Sequence, residues 1–82
     1  MPRYFFDTRD GESWIRDETG TELSGIEEAR LEATAGLADM AKDALPGALR
    51  KELSVEVRDG FGSPCLKAVL RLEVHVLPAR EA

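Results

Sequence analysis

Apolar residues alternate with a period of two at both ends of the chain and recur at helical spacing in the middle. Arg3 to Thr8 is rich in aromatics, with Tyr4 and Phe6 on one face of a strand and Phe5 on the other. Asp10-Gly11 follows, a pair favoured in tight hairpins because both residues tolerate positive φ. Ser13 to Asp17 reads as the return strand, with Trp14 and Ile15 on opposite faces. Asp17 to Glu22 reads as an acidic loop.

The middle of the chain predicts one helix over residues 25–45. Ser24 and Glu27 match the capping box S-x-x-E, in which hydroxyl and carboxylate satisfy free N–H groups at a helix start. Ile26, Ala29, Ala33, Leu37, Met40, Ala41 and Ala44 then form one stripe. Most of these are alanines, so the helix can approach a sheet closely. Pro46-Gly47 stops it or opens a short second turn through Arg50.

Leu53, Val55 and Val57 alternate with Ser54, Glu56 and Arg58, the pattern of a half-buried strand. Leu66 to Val76 alternates more cleanly still, with Cys65, Lys67, Val69, Arg71, Glu73 and His75 on the opposite face. Residues 66–77 in one strand would reach about 40 Å, which predicts a bend, a bulge or a projecting end. Arg9-Asp10-Gly11 and Arg58-Asp59-Gly60 follow the first and third strands, an echo that shared turn chemistry explains.

These elements predict a single α+β domain over residues 1–82. It has an antiparallel four-stranded sheet with one helix packed on one face, in the order β-β-α-β-β. A hairpin over 2–17 precedes the helix and a second over 53–77 follows it. One helix covers only one face of such a sheet. The open face is expected to present an apolar interaction patch of Phe5 or the Tyr4 and Phe6 pair, of Trp14 or Ile15, and of Val69, with Arg71 and His75 beside it.

Composition narrows the function. The chain has 82 residues and a formal charge of −5. A chain this short buries only about 60% of its unfolded surface, so a partner can matter for stability. Residues 1–41 hold four arginines against ten acids, while residues 42–82 are near neutral at +1. No cluster of Lys and Arg suits a phosphate backbone, so direct nucleic-acid binding is not expected. The opening Met1 to Phe6 lacks the apolar run of a secretory signal. Residues 66–77, interrupted by Lys67, Arg71, Glu73 and His75, fall short of the ~20 apolar residues of a membrane span. Cys65 is the lone cysteine and forms no internal disulfide. A cytoplasmic protein is expected.

The candidate chemistry is sparse. The acids from Asp7 to Glu22 lack the ligand spacing of a calcium loop and read as a solvated surface. Cys65 and His75 lie ten apart, about 33 Å along one strand, too far for a catalytic dyad. Trp14 reads as a core edge or an interface anchor. No phosphate-loop, dinucleotide, zinc-protease or nucleophile-elbow motif is present in the sequence. No enzyme activity, metal or cofactor is expected.

Met1 to Phe6, Arg9-Asp10-Gly11, Asp17 to Leu23, Glu28 to Ala33 and Val55 to Asp59 together resemble a family of small uncharacterised bacterial proteins found in alphaproteobacteria. The resemblance runs to about Leu70 and implies a cytoplasmic domain of unknown function with no catalytic residues to carry over. The tail Arg71–Ala82 runs past the family's expected length. A looser likeness of pattern, a hairpin followed by Glu27-Glu28-Ala29 at a helix entry, is to HicB-type antitoxins. Three functions follow in order. The first is a non-enzymatic protein-interaction module, working as a homodimer or on a protein partner. The second is an antitoxin-like acidic regulator of a basic partner. The third is a small metal protein or enzyme using the acidic loop or His75.

Overall fold

The structure, a computed structural model, describes residues 1–80. Strands β1 (Arg3–Asp10), β2 (Ser13–Ile15) and β3 (Thr21–Glu22) precede helix α1 (Ile26–Ala44). Strands β4 (Arg50–Arg58) and β5 (Pro64–Glu73) follow it. The expected β-β-α-β-β order holds, with β3 as a small fifth strand inside the acidic loop. Every pairing is antiparallel, and the sheet runs β2-β1-β4-β5. β3 pairs with the start of β1 and β2 with its end, so together they line one edge of β1.

The period-two pattern sets the two faces. Tyr4 packs into the core with Leu53, Val55 and Val57 against Ala29, Ala33 and Leu37 of α1. Phe6 is half-buried beside them. Small side chains at Ala29 and Ala33 let the helix sit close to β4, as the alanine stripe implied. Leu66, Ala68 and Leu70 extend this apolar layer across β5.

Four sequence expectations are corrected. The helix starts without a capping box: Gly25 is the N-cap and no side chain caps the helix. Glu28, not Glu27, reaches back to accept the Ser24 N–H at 3.1 Å, while Glu27 pairs with Arg30. One residue of offset separates the two arrangements, because Gly25 stands between Ser24 and the first helical turn. Ile26 belongs to the predicted stripe but lies too near the helix end to be covered and is exposed. Strand β2 stops at Ile15, short of Asp17, because the chain there leaves the β1 edge. The second hairpin begins at Arg50 and its last strand ends at Glu73, not Leu77. β5 ends there because its partner runs out at Arg50, opposite Glu73. One further bond, from the Val74 N–H to the Leu49 carbonyl at 2.8 Å, continues the ladder. The expected irregularity is a register shift at Val57/Arg58.

The hairpin also overhangs the sheet. β1 pairs β4 from Leu53 to Arg58, with one further bond from the Gly11 N–H to the Glu52 carbonyl at 3.3 Å, leaving Arg50 and Lys51 paired along the β5 side alone. The molecule is long, 63 × 23 × 18 Å, with a radius of gyration of 16.1 Å. A compact chain of this length would have about 12 Å.

Candidate interaction face

The face of the sheet opposite α1 is organised in rows across the strands. Trp14 pairs with Arg9, Arg9 with Ser54, and Ser54 with Val69, so one row crosses four strands. Trp14 is 49% exposed and Val69 43%, with the buried Ser54 set between them. The next row holds Asp7, Glu56 and Lys67, and the row beyond it holds Phe5 and Arg58. At the opposite end Arg71 donates to Glu52 at 2.7 Å. That carboxyl is held below the usual glutamate range by the Arg71 hydrogen bond and charge.

One end of this face is covered by the chain itself. Between β2 and β3 the chain leaves β1 and folds over it. The Phe6 N–H, which lies between the two stretches paired to β2 and β3, donates to Asp17 Oδ2 at 3.0 Å. Asp17 Oδ1 accepts the N–H groups of Thr19 and Gly20, each at 3.0 Å. The Asp17 N–H donates to Asp7 Oδ1 at 2.9 Å. Arg58 completes the node with Nε to Asp7 Oδ2 at 2.7 Å, Nη2 to Asp7 Oδ1 at 3.1 Å, and Nη2 to the Asp17 carbonyl at 2.8 Å. Its guanidinium lies 4.9 Å from the Phe5 ring centroid, over the ring face. Gly20, at φ +76°, rests on the same ring.

The electrostatics follow from these contacts. The Arg58 hydrogen bond, which outweighs the cost of burial, holds the Asp7 carboxyl below the ordinary carboxylate value. Burial pushes Asp17 up, but the N–H groups of Gly20, Phe6 and Thr19 outweigh it and bring the carboxyl down. Burial, and then the Asp59 charge, pushes the Cys65 thiol up, which disfavours the reactive thiolate.

The predicted surface residues therefore divide. Tyr4 is in the core and Phe6 packs against it, because Asp7 on the alternate face is anchored by Arg58 and Asp17 and fixes which way β1 points. Ile15 is exposed, but its pairing with Thr8 puts it on the α1 side, where it lines a shallow groove with Met40 and Ala44. Phe5 is on the open face but lies under Arg58 and Gly20. Trp14, Val69 and Arg71 share the accessible part of the face. His75 lies beyond the end of β5, 3.7 Å from Glu73. In place of a continuous apolar patch, the face presents two apolar groups separated by Arg9 and Ser54 and framed by charge.

Sequence reasoning missed Asp7, Gly20 and Arg58, and of Asp17 it gave only the capping of the local turn, which the Thr19 and Gly20 N–H groups bear out. The available signal was a carboxylate in phase with Phe5 on an aromatic strand, together with an arginine in phase with the polar face of β4. The first-half acids are also less free than their number suggests. Lys51 meets Asp10 at 2.9 Å and Arg3 meets Glu22 at 3.3 Å. Among the described residues no group of three His, Cys, Asp or Glu side chains is placed to hold a metal ion. No helix among them is long and apolar enough to cross a membrane.

Comparison with known proteins gives one match. A family model described as a domain of unknown function (DUF6894) covers residues 3–71. No curated protein and no solved structure matches the chain. The matched span includes every residue of the Asp7–Asp17–Arg58 node and ends inside β5, at Arg71.

Proposed function

The chain belongs to this family, a domain of unknown function, and we propose that it is a non-enzymatic protein-interaction module. It acts in the cytoplasm through its open sheet face, as a homodimer that receives a protein partner. The observation that carries this reading is Trp14, half-exposed in a row of paired strands with Val69 at its far end. A tryptophan on a rigid sheet offers a large contact area with little ordering cost, and Trp and Arg dominate interface hot spots. Arg9, beside it in the same row, supplies the second kind of group.

Affinity capture from the native cell, run in parallel with wild-type protein and Trp14→Ser, tests the reading. The expected result is a partner that the variant fails to retain and that rebinds wild type when purified. Identical recoveries with both baits would overturn it. A second reading, an acidic regulator of a basic partner, is favoured by the exposed acids Glu32, Asp39 and Asp43 along α1. It expects binding that weakens steeply with salt and ignores Trp14→Ser.

A further inference from the structure

We infer that β5 is a dimerisation edge, and that a second copy of this chain pairs with it antiparallel about a two-fold axis through Leu70. The inference rests on the interaction-module reading and gives its homodimer a specific contact. β5 is the edge of the sheet over all ten of its residues, Pro64–Glu73. The opposite edge is divided between β2 and β3, and the loop folded between them shields it. An exposed edge strand carries unpaired N–H and C=O groups that template another strand. Pro64 and the irregularity at Val57/Arg58 guard only the start of β5. From Leu66 onward its pairing with β4 is regular.

Charge selects the register. With Leu70 opposite its own copy, Lys67 of each chain faces Glu73 of the other, giving two opposite-charge pairs on the open face. On the other face Ala68 meets Leu72, and Leu66 meets Val74. Sliding the pairing to centre on Val69 sets Lys67 against Arg71. Centring on Arg71 sets that arginine against itself. Centring on Leu72 opposes Arg71 and Glu73 but pairs only residues 71–73 of each strand with one another. A slip that pairs Val69 with Leu70 joins the α1 side of one sheet to the open side of the other. Only the Leu70-centred pairing is apolar on one face, charge-matched on the other and extended along the strand.

Burial is consistent with that partner. α1 leaves Leu66, Leu70 and Leu72 only half-buried on β5, on the side where the second copy would sit. Val74, 43% exposed in the single chain, gains Leu66 of the partner copy as a neighbour. In-chain charges do not block the exchange, because Glu73 meets Arg50 only at 3.6 Å with both groups well exposed.

Light scattering after gel filtration tests this with wild type, Lys67→Glu and Glu73→Lys. Wild type is expected at twice the 9.0 kDa chain mass. Each variant alone sets like charges opposite one another twice and should weaken dimerisation by about tenfold or more. Mixing the two variants restores both opposite-charge pairs, so the mixture should dimerise as wild type does. Circular dichroism of each variant alone checks that it is folded. A wild-type monomer at high micromolar concentration would overturn the inference, as would a dimer indifferent to both reversals or variants that stay apart when mixed. Trp14→Ser separates the two proposals. If it loses the captured partner yet remains a dimer, both stand. A monomeric wild type whose partner still depends on Trp14 removes the β5 pairing and the homodimer, and leaves the Trp14 interaction with a partner standing.

Discussion

Arg58 and Asp7 are 51 positions apart in the chain and meet as a two-point ion pair, with contacts of 2.7 and 3.1 Å. The pair joins β1 to β4 on the face that the helix does not reach. The same guanidinium also holds the Asp17 carbonyl, so one side chain ties two strands to the loop that folds across them. The Asp7 side chain is 5% exposed and that of Arg58 12%, so the contact is largely shielded from water. A shielded pair of this kind is costly to break from one side.

Asp7→Ala is therefore expected to destabilise the fold by about 3 kcal/mol, the low end for a broken buried pair because Arg58 can turn outward to water. Arg58→Lys should recover little of the wild-type stability, since an ammonium lacks the fork that grips both carboxylate oxygens. Urea unfolding measures both, and an Asp7→Ala midpoint equal to wild type would refute the assignment.

Acid should loosen the same node. Asp7 and Asp17 both titrate below the ordinary carboxylate value of 3.8 in the folded chain. The unfolded chain then binds more protons than the folded one in that range, so stability rises with pH there. The contribution is complete above the ordinary value and is lost as pH falls through it and through the lower folded values. Urea midpoints followed from pH 6 downward should show the loss in wild type and a shallower one in Asp7→Ala. Equal slopes would remove the node from the acid response.

Gly20→Ala should cost about 1–3 kcal/mol from its left-handed backbone alone. A methyl there would also lie 2.8 Å from Phe5 Cε2 and 2.9 Å from Arg3 Cγ. Adding Phe5→Leu should relieve part of the crowding and none of the backbone cost. A thermal melt of the single and double variants separates the two contributions, and an unaltered Gly20→Ala melt would contradict both.

Ala33→Leu should destabilise by about 1–3 kcal/mol, because the added atoms have no space between α1 and β4. Ala35→Leu, on the exposed side of the same helix, should stay within about 0.5 kcal/mol of wild type. Equal effects at the two positions would mean that the helix does not approach the sheet through its alanines.

The helix and β4 were legible because their periods are unambiguous: Ala29, Ala33 and Leu37 repeat at helical spacing, and Leu53, Val55 and Val57 alternate with polar residues. The direction of β1 was not, because it carries aromatics on both faces. Asp7 decides it, and Asp7 can be buried only because Arg58 and Asp17 arrive from elsewhere in the chain. The acidic run misled for a related reason. Local sequence accounts for the turn that Asp17 caps through Thr19 and Gly20, but only the Phe6 N–H, left free on β1 by the gap between β2 and β3, ties Asp17 to the sheet. The end of β5 was illegible because alternation continues to Val76 while the partner strand does not. Of the candidate face, Val69 followed from strand alternation, which left Trp14 and Ile15 as alternatives that only the pairing of Trp14 with Arg9 decides; the cover over Phe5 depends on a loop whose path no periodicity encodes.

The large fully buried side chains Leu53, Val55 and Val57 all belong to β4. That strand is flanked by β1 on one side and β5 on the other and lies beneath α1. Its amide protons from Leu53 to Val57 reach deuterated water only when a neighbouring strand detaches, which removes the apolar layer as well. Their exchange thus reports global opening, whereas the edge amides of β2 exchange through local fraying and the outward amides of β5, unpaired in the single chain, exchange directly. In a deuterium-exchange experiment β4 would serve as an internal clock for the whole domain. Protection appearing on β5 while that clock is unchanged would be the signature of something bound at the edge rather than of a more stable fold.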